Sequence, residues 1–149
     1  MMYILHMLLI LCGVMGIGIA YHIYGKKRVQ EAPVCPLNFK CETVIYSPYS
    51  TFLGIPVEKL GVIYYIFISA AYTSMWSFPN LVTAELTLFA FSATIAAFLF
   101  SLYLTAIQSF VLKEFCTWCL ASAAVCTIIF ALAAATSRFS FTELLRVLN

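Results

Sequence analysis

Four apolar runs constrain this chain more than any other feature, each near the roughly 20 residues a helix needs to cross a hydrocarbon core. They cover about 2–24, 60–76, 82–112 and 115–136. Only His6 and His22 interrupt the first. The third is longer than one crossing needs, so it fits by tilting or by laying its first turns around Glu85 in the interface. Backbone groups in lipid must be satisfied within their own segment, so the runs are expected to be helices. Of the 149 residues, 64% are hydrophobic and 9% charged, against about a quarter charged in a soluble domain. The expected class is an all-α membrane protein, a single domain over 1–149.

Short links at Ser77-Phe78-Pro79-Asn80 and Lys113-Glu114 force antiparallel neighbours, which predicts a four-transmembrane-helix bundle. The one long polar segment is 25–59. The tail 137–149 mixes Phe139, Phe141, Leu144, Leu145 and Leu148 with Arg138, Glu143 and Arg146, the pattern of a short interfacial helix. The first run is too long for a signal-peptide core and no basic residue precedes it, so it is expected to be retained. With four crossings, segment 25–59 and the Lys113-Glu114 turn share one membrane face, and both termini share the other. A net charge of +2 without a basic aromatic patch argues against nucleic acid.

That topology puts two cysteine pairs on one face: Cys35 with Cys41, and Cys116 with Cys119. Positions i and i+3 lie on one side of a helix, so the Cys116 and Cys119 sulfurs can meet. A helix start stabilises a thiolate; Lys113 adds to that field and Glu114 opposes it. Between Cys35 and Cys41, Pro36 and Asn38 are turn formers, and an exposed loop disulfide of this kind exchanges readily. This pattern points to thiol–disulfide electron transfer. Two non-catalytic readings stay open: a bundle stapled by Cys35–Cys41, and a zinc site of all four cysteines, although nothing nearby resembles the outer shell that orients metal ligands. Cys12 and Cys126 read as small buried apolar residues. His6 and His22 have no partner at metal spacing. The chain lacks a Rossmann glycine pattern and a c-type haem motif, so a lipid-soluble quinone is the natural acceptor. Tyr64, Tyr65 and Phe67 on the second run, with Phe98, Phe100, Tyr103 and Phe110 on the third, either wall a flat-ring pocket or serve as ordinary packing and anchors.

The segment Cys35-Pro-Leu-Asn-Phe-Lys-Cys41, followed by Val44-Ile45-Tyr46-Ser47, Gly54-Ile55-Pro56-Val57-Glu58 and Tyr64-Tyr65, resembles the vitamin K epoxide reductase family. So do Ser101-Leu102-Tyr103-Leu104 and Phe115-Cys116-Thr117-Trp118-Cys119. The resemblance runs from Tyr21 to about Ser122, and its Pro-Val-Glu variant looks like the bacterial and archaeal branch. It implies a four-helix bundle around a quinone, capped by the cysteine loop and a short half-helix. By position, Cys35 would meet the reduced partner, Cys41 would pass electrons to Cys116, and Cys119 would be the thiolate facing the quinone. Ser47 matches the family's serine or threonine near the quinone, and Tyr65 and Tyr103 are the aromatic candidates beside it.

The implied activity is a quinone-dependent thiol oxidase with ubiquinone or menaquinone as cofactor and no metal. Many bacterial members carry a fused thioredoxin-like domain; ending at Asn149, this chain is expected to use a separate thioredoxin-fold partner. Ala123 replaces a tyrosine of the animal enzymes, and the segment between Gly54 and Gly61 is shorter than theirs, which favours a respiratory quinone over vitamin K epoxide. The resemblance places the chain in the inner or cell membrane with its cysteines outside. Lys26, Lys27, Arg28, Lys40, Lys59 and Lys113 on the cysteine face argue for the opposite orientation.

Overall fold

The computed structural model describes residues 2–31, 33–36, 39–78 and 84–148, with side chains at 3–31, 33–36, 39–78 and 85–137. Four long helices make up most of it. They are α1 (Met2–Arg28), α3 (Val57–Ser77), α4 (Ala84–Ala106) and α5 (Thr117–Leu148). A π-helical turn, Ile107–Leu112, prolongs α4 and closes on Lys113, whose φ of 53° is left-handed. Between α1 and α3 lie the short helix α2 (Cys41–Ile45), a 3₁₀ turn (Pro48–Ser50) and a two-stranded hairpin. Its strands are β1 (Thr51–Phe52) and β2 (Ile55–Pro56), with Phe52 opposite Ile55. Leu53 and Gly54 turn it with φ of 52° and 81°; two positive values match the twist a tight hairpin needs.

The ends of the helices follow charge. α1 runs past Tyr24 to Arg28, and Lys26, Lys27 and Arg28 in its last turn complement the negative end of the helix dipole. α3 starts before Leu60, at Val57, with Glu58 in its first turn. Residues 137–148 continue α5 without a break, so the separate tail helix expected from sequence is an extension of the fourth helix. The side chains of Phe139, Phe141, Leu144, Leu145 and Leu148 lie outside the described residues, as do Leu37, Asn38 and the turn residues Pro79 and Asn80.

Among the described residues three helical stretches are long and apolar enough to cross a membrane: Tyr3–Arg28, Glu85–Leu112 and Thr117–Ser137. α3 is of comparable length but carries Tyr64, Tyr65, Tyr72, Trp76 and several hydroxyls, which lower its apolarity. The bundle turns apolar side chains outward: Leu11, Leu88, Phe89, Leu99, Phe110 and Ile128 are all exposed. Around water such a surface would be costly; around lipid it is the expected solvent contact. The chain is a membrane protein.

Small residues set how the helices meet. α1 packs chiefly on α3 and then on α5, and α4 packs mainly on α5. A Cβ on Gly13 would overlap Ser69, one on Gly16 would overlap the Tyr65 ring, and one on Gly61 would touch Ala20. The two helices therefore interlock along Gly13, Gly16 and Ala20 against Ser69, Tyr65 and Gly61, the close approach that small residues permit in lipid. Leu9, Ile68, Tyr72 and Ile129 fill the buried centre. Contact between α3 and α4 is sparser. Where Ala93, Ala96 and Ala97 face Gly61, Tyr64 and Tyr65, a cavity of about 460 Å³ remains.

Candidate active site

All four paired cysteines meet in one apolar cluster at the cysteine-loop end of the bundle. Cys41 and Cys116 are core members with Ile23, Val44 and Ile45, and Cys35 and Cys119 pack against them. Cys35 and Cys41 form a disulfide with Cα atoms 6.2 Å apart. Cys116 and Cys119 are free thiols. The sulfurs of Cys35, Cys41 and Cys116 all lie within 4.8 Å of one another. Cys116 is fully buried and Cys41 is 2% exposed.

Each neighbour has a role in that placement. Trp118 Nε1 donates to the Val34 carbonyl at 3.1 Å, and its ring lies on His22 with centroids 4.6 Å apart. Phe39 packs against Phe115 at 6.0 Å, and Lys40 Nζ donates to Glu114 Oε1 at 2.8 Å. These contacts pin Val34, Phe39 and Lys40 over the start of α5, which holds the loop disulfide against Cys116. The pairing also draws Glu114, expected to oppose a thiolate, into an ion pair with Lys40. Gln108, 4% exposed on the π-helical turn, accepts the Cys116 amide at 3.2 Å. A π turn re-aims side chains that an α-helix would place elsewhere.

The acidifying contacts fall on Cys116. The Cys119 thiol foremost, then the amides of Cys119 and Trp118, hold Cys116 below the ordinary thiol value, against burial and the charge of Glu58. The Cys119 amide donates to Cys116 Sγ at 3.4 Å. Sequence resemblance put the thiolate on Cys119; with the loop disulfide intact, this hydrogen bonding favours it on Cys116. Cys119, packed against the apolar cluster, also lines the cavity. The two thiols thus differ in position: Cys116 lies by the loop sulfurs and Cys119 borders the apolar space.

That space is walled by Val44 and Ser47 above, Tyr64 and Tyr65 from α3, Phe100 from α4 and Cys126 from α5, among others. Tyr65 donates from its hydroxyl to the Ser122 carbonyl at 2.9 Å, bracing α3 against α5 one turn beyond Cys119. Ser47 is buried, with its hydroxyl donated to the Val44 carbonyl at 2.8 Å. Tyr103 is not on the wall. It is 54% exposed on the outer side of α4, 6.2 Å from Phe100 by ring centroid. The wall face of α4 runs through Ala93, Ala97, Phe100, Ser101 and Leu104, and Tyr103 falls off that stripe. Phe67, Phe98 and Phe110 are also absent from the lining. His6 sits edge-on to Tyr72 at 5.8 Å, away from the cysteines.

The free thiols Cys116 and Cys119 thus lie between the loop disulfide and an apolar cavity. A model of the vitamin K epoxide reductase family matches residues 7–134. The chain belongs to that family. It is therefore an oxidoreductase of the membrane, and the family's quinone-linked cysteine chemistry fits the cluster at its core.

Gln108 and the half-buried pair Lys27–Glu58 were not singled out from the sequence. Replacing Gln108 with leucine is expected to leave the Cys116 amide buried without a partner, costing about 1–3 kcal/mol. The exchange between Cys116 and the loop disulfide should slow with it. Denaturation of the purified variant, alongside alkylation kinetics of Cys116, measures both.

Proposed function

We propose that this family member is a quinone-dependent thiol oxidase that generates disulfides. The observation that carries the reading is the division between Cys116, within 4.8 Å of both loop sulfurs, and Cys119, on the cavity wall. Electrons enter from the dithiol of a separate thioredoxin-fold partner at Cys35, the less buried loop sulfur, flanked by exposed Val34 and Pro36. Cys41 then reduces Cys116, and the Cys116/Cys119 pair delivers the electrons to the cavity. Each sulfur step is attack of a thiolate on a disulfide through a mixed disulfide.

A quinone in the cavity would accept two electrons and two protons. The residues present suit one: the space is mostly apolar and within the usual 300–1,000 Å³ range of small-molecule sites. Tyr64, on the cavity wall beside Thr94 and Cys126, is the proposed hydroxyl donor. Ser47 and Tyr65 are the proposed contacts carried over from the sequence. In this reading α3 crosses the membrane with the other three helices, as one domain.

The cysteine face lies outside the cell, where disulfides persist, despite the basic residues gathered there. A reporter fused after Asn149 should then be active only in the cytoplasm; activity outside would reverse the orientation. A soft metal held by Cys35, Cys41 and Cys116 is the competing reading of the same sulfur cluster. The deciding experiment is anaerobic. Fully reduced protein is mixed with ubiquinone or menaquinone, and thiols and quinol are counted together. Thiol loss matched by quinol, abolished in Cys119→Ala, is the expected result. Stoichiometric zinc with no quinol from folded protein would favour the metal.

A further inference from the structure

We propose that the half-buried Lys27–Glu58 ion pair is the proton donor of this site, moving one proton per turnover from water at the cysteine face into the cavity. The inference rests on the quinone reading above and assigns its missing proton. Lys27 lies in the last turn of α1 and Glu58 in the first turn of α3. Their Nζ and Oε1 are 3.2 Å apart, with side chains 16% and 9% exposed. Lys27 also donates to Ser50 Oγ at 2.9 Å. Taking two charges out of water is expensive, and a buried pair seldom stabilises a fold more than apolar residues of the same size would. The other two ion pairs among the described residues, Lys26–Glu31 and Lys40–Glu114, avoid that cost by standing further out in water.

The position of the pair supplies a reason for it. Glu58 is the one carboxylate among the described residues lining the cavity, and it shares that wall with Cys119. Its charge reaches Cys116, where it opposes the thiolate. The other titratable groups on the wall are Tyr49, Tyr64, Tyr65, Cys119 and Cys126; Lys27 is the cation that faces Glu58. The proton count requires such a group. When the Cys116–Cys119 bond forms, two electrons leave the sulfurs and Cys119 gives up its thiol proton. Cys116 leaves the mixed disulfide with Cys41 as a thiolate and has none to give, whereas reduction of a quinone to the quinol consumes two. The Lys27 ammonium supplies the second through a Glu58 carboxylate oxygen and regains a proton from water at the end of α1.

The test uses full-length protein in detergent. Removing one partner would strand a half-buried charge, so the double variant Lys27→Met/Glu58→Gln is made beside Glu58→Gln. Quinol formation from reduced protein and a short-chain ubiquinone should slow by about 10²-fold or more, the usual contribution of a positioned acid. Exchange between Cys116 and the loop disulfide, followed without any quinone by acid quench and alkylation, should not slow. Methylammonium should restore part of the quinol rate to Lys27→Ala. Equal slowing of both steps would make the pair a structural clasp and overturn the proposal, as would quinol formation at the wild-type rate. No quinol from the wild-type protein would instead sink the oxidase reading itself.

Discussion

Replacing Cys119 with serine is expected to freeze the protein as a Cys41–Cys116 disulfide and to abolish turnover. Cys116 is buried and its sulfur already lies within 4.8 Å of both loop sulfurs. A thiolate so placed attacks Cys41 and releases Cys35. The product is the same mixed disulfide that forms in the proposed flow when Cys41 attacks the Cys116–Cys119 bond; Cys35 clears it in that direction and Cys119 in the reverse. Serine keeps a hydroxyl donor beside Cys116 but cannot form a disulfide, so the mixed species persists. Turnover should fall by at least about 10³-fold, the order of loss when one member of a catalytic unit is removed. Digestion without reductant, followed by mass spectrometry, reads the linkage directly. A Cys35–Cys116 bond would exchange the roles of the loop cysteines. A free Cys116 beside an intact loop disulfide would sink the relay.

The rate at which that bond forms should also carry a pH signature. Hydrogen bonds from residue 119 and from the helix-start amides hold the Cys116 thiol below its ordinary value. A depressed thiol is deprotonated earlier as pH rises, so the rate should climb and then level off below about pH 8.5, the midpoint of a free cysteine. A midpoint above that value would mean that burial and the charge of Glu58 outweigh the hydrogen bonds.

The sequence made the long helices and both cysteine pairs legible because each is a local signal: apolar length for the helices, and close spacing, five residues and two, for the cysteines. Ser47 and Tyr65 were placed by the family motifs around them. Tyr103, named with them, lies off the cavity lining for a physical reason. α4 is apolar all round, so periodicity does not say which of its faces meets α5 and which meets lipid. The hairpin escaped because Leu53 occupies a left-handed position that turn-forming residues usually hold. Gln108 depends on a π turn, and a single residue of register decides whether it reaches Cys116. Lys27 and Glu58 both fell in the polar segment 25–59, outside the expected helices. Only the docking of α1 against α3 makes them a half-buried pair.

That docking supplies the second large prediction. Gly16→Leu is expected to destabilise the protein and to disturb the cavity, while Gly18→Leu, two residues away, should do neither. A Cβ at Gly16 would overlap three atoms of the Tyr65 ring, whereas one at Gly18 meets nothing within 4 Å. Tyr65 cannot retreat cheaply, since it is 2% exposed and its hydroxyl is tied to Ser122. Overpacking of this kind costs about 1–3 kcal/mol, and loss of the Tyr65 hydrogen bond adds about 1 kcal/mol. Quinol formation should fall as well, because Tyr65 is both cavity wall and brace for the turn after Cys119. Gly18 faces outward, where leucine adds apolar surface to lipid and improves helix propensity by up to about 1 kcal/mol. Unfolding in mixed detergent micelles compares the two variants against wild type. Equal destabilisation by both would mean that the face of α1 turned to α3 is misassigned, and with it the position of Tyr65 on the cavity wall.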